Sequence, residues 1–83
     1  MILTKREFEV SRLFSLGFIA KEIADYMFLS KRTIETHKTN IFKKNEVINN
    51  VSDLVREFVL KFGNPKNATL LLLILITIKY LNN

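Results

Sequence analysis

The chain has 83 residues, no cysteine and one histidine, so it holds one domain at most, and disulfides, thiolate or histidine-rich metal sites and thiol nucleophiles are excluded. A net charge of +5 favours a polyanion or an anionic membrane surface as partner, and a hydrophobic share of 48% is ample for a folded core. No basic start followed by an apolar run marks a secretory signal, so the expected compartment is the cytoplasm.

The first predicted element opens with Thr4-Lys5-Arg6-Glu7, the pattern of a capping box, in which Thr4 and Glu7 satisfy each other's backbone amides. Leu3 and Phe8 add a hydrophobic staple. Apolar residues at Phe8, Val10, Leu13, Phe14 and Leu16 keep near-helical spacing, and Gly17 supplies a stop, so a helix is predicted over residues 5–16. A second, shorter helix is predicted over residues 20–28, with Ile19, Ile23 and Met27 along one side and Lys21, Glu22 and Asp25 facing water. Ala24 beside that stripe lets two helix axes approach closely. The few residues from Met27 to Ser30 force a sharp turn into the next helix, as in a helix-turn-helix unit.

The third helix starts at Ser30, a good N-cap, with Leu29 and Ile34 at staple spacing. Ile34 and Ile41 fall on one face two turns apart, while Lys31, Arg32, Glu35, Thr36, Thr39 and Lys43 point elsewhere. Such a helix suits the DNA major groove, where cations meet phosphates and short polar side chains reach base edges; taken alone, the segment is better read as a solvated amphipathic helix, and the rest of the chain reverses that preference. Residues 45–50 are polar and turn-like. Asn50 and Asp53 then cap a fourth helix over residues 51–62, with Val51, Leu54, Val55, Phe58, Val59 and Phe62 as a broad apolar face and Gly63-Asn64-Pro65 as its end.

From Ala68 to Ile78 the chain is nearly all Leu and Ile with two threonines, and periodicity does not separate helix from strand there. As a helix, residues 68–81 would reach about 21 Å at ~1.5 Å per residue. The hydrocarbon layer is about 30 Å thick, so a packed or dimer-forming helix ranks ahead of a membrane-associated tail, and an edge strand third. A stretch foreign to the domain is a further reading.

Leu3-Thr4-x-Arg6-Glu7-x-Glu9-Val10, Gly17, Lys21-Glu22-Ile23-Ala24 and Leu29-Ser30-x-x-Thr33-Ile34-x-x-His37-x-x-Asn40-Ile41-x-x-Lys44 form an ordered set. That set resembles the LuxR-type (FixJ/GerE) helix-turn-helix DNA-binding domain over roughly residues 2–62. The resemblance implies an all-α, four-helix bundle over residues 1–63; the apolar C-terminal extension over 64–83, read as helical, has no counterpart in the usual domain. The resemblance also implies a sequence-specific transcription regulator with the third helix in the major groove of double-stranded DNA. By position, Glu35, Thr36 and Thr39 would contact bases, and Lys21, Thr33, Lys38, Asn40 and Lys43 would contact phosphates. The fourth helix would pair two copies through Leu54, Val55, Phe58 and Val59. Eighty-three residues leave no room for a phospho-receiver or autoinducer-binding domain, so a stand-alone homodimer is the expectation.

This chain departs from the family pattern in several places. Glu35 stands where a basic residue is common; a carboxylate there accepts from a cytosine amino group and is repelled by phosphate. Ile19 replaces a capping serine, and Asn45-Glu46 replaces Leu-Gly, where Asn45 could take the left-handed conformation that Glu46 takes only at a cost. One extra residue sits between Val47 and the fourth helix. His37 has no paired carboxylate or nucleophile and is read as structural; Asn40 suits a phosphate contact or a helix cap equally. Lys44 is read as a solvated helix end. Nothing points to a reaction, cofactor or metal, so the chain is not read as an enzyme. The alternative is a membrane-associated or protein-interaction module that works through the apolar tail.

Overall fold

A computed structural model describes residues 1–63 together with Lys79 and Leu81. The readings of the apolar C-terminal stretch lie outside the described residues. Four helices follow in chain order: α1 (Lys5–Ser15), α2 (Ala20–Met27), α3 (Lys31–Lys44) and α4 (Val51–Phe62), with no strand among the described residues. The all-α, four-helix architecture expected from the sequence is the one observed, with α1 and α2 each one residue shorter than predicted. None of the described helices is long and apolar enough to cross a membrane.

The boundaries follow from local chemistry. Thr4 and Glu7 close both halves of the capping box of α1, at 3.1 Å and 2.9 Å. Gly17, at φ 97°, takes the chain out of α1 through a conformation that side-chain-bearing residues avoid. Ile19 has no side-chain acceptor, so α2 keeps only the returning half of such a box, in which the Glu22 carboxylate accepts from the Ile19 amide at 3.0 Å. Asn50 caps α4 by accepting from the Asp53 amide at 2.8 Å.

α1 packs on all three other helices, α2 pairs closely with α3, and the core lies between them. Val10, Ile34, Ile41 and Leu54 are fully buried there, with Leu13, Phe14, Ile23, Ala24 and Ile48 around them. Burying each such aliphatic side chain contributes about 1.5–3 kcal/mol. On the α1–α4 side, Phe8, Phe58 and Phe62 form an aromatic cluster with ring centroids 4.8–5.3 Å apart. Leu54 and Phe58 are 0% and 2% exposed. Two of the four residues expected at a dimer surface are therefore core, because α4 turns them onto α1 to bury the Leu and Phe side chains. Val55 and Val59 are half-buried and remain at the surface.

The α3–α4 connection is a turn, as read from the sequence, but it is not wholly polar and exposed. Ile48 is 1% exposed and plugs the core from the loop, its amide bonded to the Asn45 carbonyl at 2.9 Å. Asn45 is extended rather than left-handed (φ −126°, ψ 96°) and is buried. Its Nδ2 donates to the carbonyls of Ile41 (2.8 Å) and Ile2 (3.0 Å), and its Oδ1 accepts from the Ile2 amide (2.6 Å). One side chain thus ties the segment before α1 to the end of α3. Among the described residues other than glycine, only Phe28 has positive φ, so Glu46 bears none of the cost anticipated for it.

Candidate nucleic-acid interface

α3 is placed by its cap and by two isoleucines. The Ser30 hydroxyl accepts from the Thr33 amide at 3.1 Å and lies 2.9 Å from the Thr33 hydroxyl, which fixes the first turn. Ile34 and Ile41, both 0% exposed, press one side of the helix into the core. The preceding turn is closed by the Leu29 amide bonding the Ala24 carbonyl at 2.9 Å. Phe28 ends α2 in the left-handed region (φ 57°, ψ 40°) with its ring 95% exposed, a non-glycine residue held there by the sharp reversal.

The far end is held to α1. Glu7 is 4% exposed, and its carboxylate receives the Lys44 ammonium as well as the Thr4 amide. Burial pushes the Glu7 pKa up, but hydrogen bonds from Lys44 and Thr4 and the Lys44 charge outweigh it, so the carboxyl sits below its ordinary value. Lys44 is therefore a structural ion-pair partner and not a solvated helix end, and α3 is fixed at both termini.

What remains faces outward. α3 carries five basic residues and one acidic residue, so much of the chain's positive excess lies on this rod. Thr36 and Thr39 are exposed and Glu35 is half-buried; at i, i+1 and i+4 they share one face. The Thr36 and Thr39 hydroxyls donate to the carbonyls of Arg32 and Glu35, each at 3.0 Å, which sets their rotamers. Glu35 pairs with Lys38 at 2.6 Å. Asn40 and Lys43 are exposed farther along; Thr33 is half-buried and engaged with the cap. His37 is half-buried, and no described group of three His, Cys, Asp or Glu side chains could hold a metal ion.

Lys21, on α2, lines one groove with Lys31, Glu35 and Lys38, above a floor of Phe14, Phe18, Ile19 and Val51. The fold thus brings this expected phosphate contact against α3. Lys31 and Arg32 were not singled out as contact residues from the sequence. Spacing holds the signal: residues 31, 35 and 38 form one surface row at i, i+4 and i+7, and residues 32, 36, 39 and 43 form the next.

The profile described as bacterial regulatory proteins, luxR family, matches residues 1–57 of the chain. The uncharacterized response regulatory protein YgeK of Escherichia coli (strain K12) is 49% identical over 45 residues, covering 54% of this chain and 31% of its own length. Oxygen regulatory protein NreC of Staphylococcus carnosus (strain TM300) is 49% identical over 43 residues, covering 52% of this chain and 20% of NreC. NreC of Staphylococcus aureus (strain NCTC 8325 / PS 47) matches to the same extent. The matched segment is thus less than a third of the length of these relatives. No solved structure matches the chain significantly.

Proposed function

The chain belongs to the luxR family of bacterial regulatory proteins, DNA-binding regulators rather than enzymes, and we propose that it binds double-stranded DNA sequence-specifically as a homodimer, with α3 in the major groove. The observation that carries this reading is a basic helix whose one face is locked into the core by two fully buried isoleucines while its polar face stays open. A rod so held presents its side chains at fixed positions, and the major groove is wide enough to admit it.

Glu35, Thr36 and Thr39 supply short polar groups for base edges, and Arg32 shares their side of the helix. Lys21, Lys31 and Lys43 supply phosphate charge from both ends of the contact, with Asn40 and Thr33 as hydrogen-bonding partners and Lys38 steadied beside Glu35. Pairing of two copies falls to Val55 and Val59, with the half-exposed Phe62 one turn on. A symmetric dimer sets the two α3 helices about 34–36 Å apart, so half-sites fall one duplex turn from each other. The proposed base-reading and pairing elements, α3 and α4, both lie within residues 31–62.

The test is fluorescence anisotropy of the full chain on a duplex selected from a random pool, titrated across salt concentrations. Lys21→Ala and Lys43→Ala each lower affinity on every duplex and flatten the slope of log affinity against log salt by about 0.9. Thr36→Ala with Thr39→Ala instead narrows the ratio between selected and scrambled duplexes. If none of these substitutions alters affinity, slope or ratio, α3 does not contact DNA in the proposed way.

A further inference from the structure

We propose that α3 reads exocyclic amino groups through Glu35, Thr36 and Thr39, whose free groups are hydrogen-bond acceptors, so the half-site carries cytosine opposite Glu35 and excludes guanine from the edges that Thr36 and Thr39 face. The inference rests on the docking of α3 proposed above and adds the chemistry of what is read there.

A threonine hydroxyl has one proton and two acceptor lone pairs. At Thr36 and Thr39 that proton is spent within the helix, on the carbonyls of Arg32 and Glu35 at 3.0 Å. To donate to a base, either hydroxyl must first break this bond. To accept from one, it needs no rearrangement. The Glu35 carboxylate carries no proton to give, and Lys38 occupies one of its acceptor sites at 2.6 Å, leaving others open toward the groove. The Lys38 side chain is only 24% exposed and lines the same groove as Phe18 and Val51, and its ammonium pairs with the carboxylate there.

Set against the duplex, this face is selective. Cytosine offers its N4 amino group and adenine its N6 amino group in the major groove, whereas guanine offers only the acceptors N7 and O6. Acceptor facing acceptor leaves both groups unpaired and, at Glu35, adds repulsion between a full negative charge and the guanine edge. Thymine is tolerated opposite the threonines, whose methyl groups can meet the base methyl. Glu35 discriminates most, because it alone couples a charge to the mismatch. A wrong sequence also leaves the carboxylate near phosphates with nothing to accept from, which lowers affinity for non-matching DNA.

The experiment uses the full chain. Duplexes are selected from a random pool, and affinities are then measured with the C·G pair opposite Glu35 kept or reversed to G·C, for the unaltered chain, Glu35→Gln and Thr36→Val. Reversal weakens the unaltered chain about tenfold or more, since a good base contact is worth a factor of that order. It weakens Glu35→Gln less than about threefold, because the new amide can donate to guanine. Thr36→Val, which keeps the shape and removes the hydroxyl, loses its own preference for an amino-bearing base and leaves the response at Glu35 intact. Selected sites with guanine at these positions, or equal losses in the unaltered chain and Glu35→Gln, overturn the inference and leave major-groove docking standing. If the unaltered chain selects no sequence, the docking itself fails and this inference falls with it.

Discussion

Asn45→Ala removes the side chain that ties the segment before α1 to the end of α3. Three hydrogen bonds are lost: Nδ2 to the Ile41 carbonyl, Nδ2 to the Ile2 carbonyl, and the Ile2 amide to Oδ1. They are unequal. Ile2 is 64% exposed, so water can take up its two backbone groups and each of those bonds is worth about 0.5 kcal/mol net. The Ile41 carbonyl belongs to a residue that is 0% exposed, and leaving it unsatisfied costs about 1–2 kcal/mol. The expected loss is about 2–3 kcal/mol, and at about 4–8 °C per kcal/mol for a domain of this size the Tm falls by roughly 10–20 °C. Thermal unfolding followed by far-UV circular dichroism measures this directly. Asn45→Asp sharpens the test: it keeps Oδ1, removes both donor bonds and turns negative oxygen toward two carbonyls, so it should cost more than alanine. A loss under about 0.5 kcal/mol for Asn45→Ala, the range of an ordinary surface change, refutes the clamp. An Asn45→Asp protein as stable as the unaltered chain would likewise refute the clamp, because a carboxylate has no donor for the two carbonyls.

Phe28→Gly should stabilise the fold by about 0.5–1 kcal/mol, because it relieves a left-handed backbone at a side chain with almost no contacts to lose; urea unfolding that shows a net loss contradicts this. Glu7→Gln should cost about 1–3 kcal/mol near neutral pH by leaving Lys44 with a weaker partner. The Glu7 pKa is lower in the fold, so its contribution is present above the ordinary value of 4.5 and fades as pH falls through the folded value. The stability gap between the two proteins therefore narrows on acidification, and a gap constant with pH would show that the charge is not what stabilises. Val55→Glu should convert a dimer to monomer in sedimentation equilibrium with little change in Tm, whereas Leu54→Ala should cost about 2–5 kcal/mol of stability. The opposite pattern would move the pairing surface off the outer side of α4.

Local features carried most of the fold into the sequence. The Thr4–Glu7 box, Gly17, the Ser30 cap and the Asn50–Asp53 pair act within three or four residues, so spacing alone located the helix starts to the residue. Ile34 and Ile41, two turns apart, marked the buried side of α3 and, by elimination, the open one. Contacts between distant residues were not legible. Asn45 meets Ile2 across 43 positions and Lys44 meets Glu7 across 37, and nothing near Asn45 or Lys44 announces those partners. The same holds for α4: an apolar face says that Leu54, Val55, Phe58 and Val59 seek burial, but only the packing of α1 divides them into core and surface. Ile48 was hidden by polar neighbours, and Phe28 by the absence of any glycine or asparagine to mark a left-handed residue. The place of Lys31 in the row with Glu35 and Lys38 follows from helical spacing alone.

The central claim, that the polar face of α3 lies in the major groove, is tested most directly by methylation interference on a selected duplex. The account predicts that methyl groups at guanine N7, on the major-groove edge, including the guanine paired with the cytosine opposite Glu35, block binding within two clusters one helical turn apart. Interference confined to adenine N3 on the minor-groove edge, or absent at every base while binding persists, would contradict it.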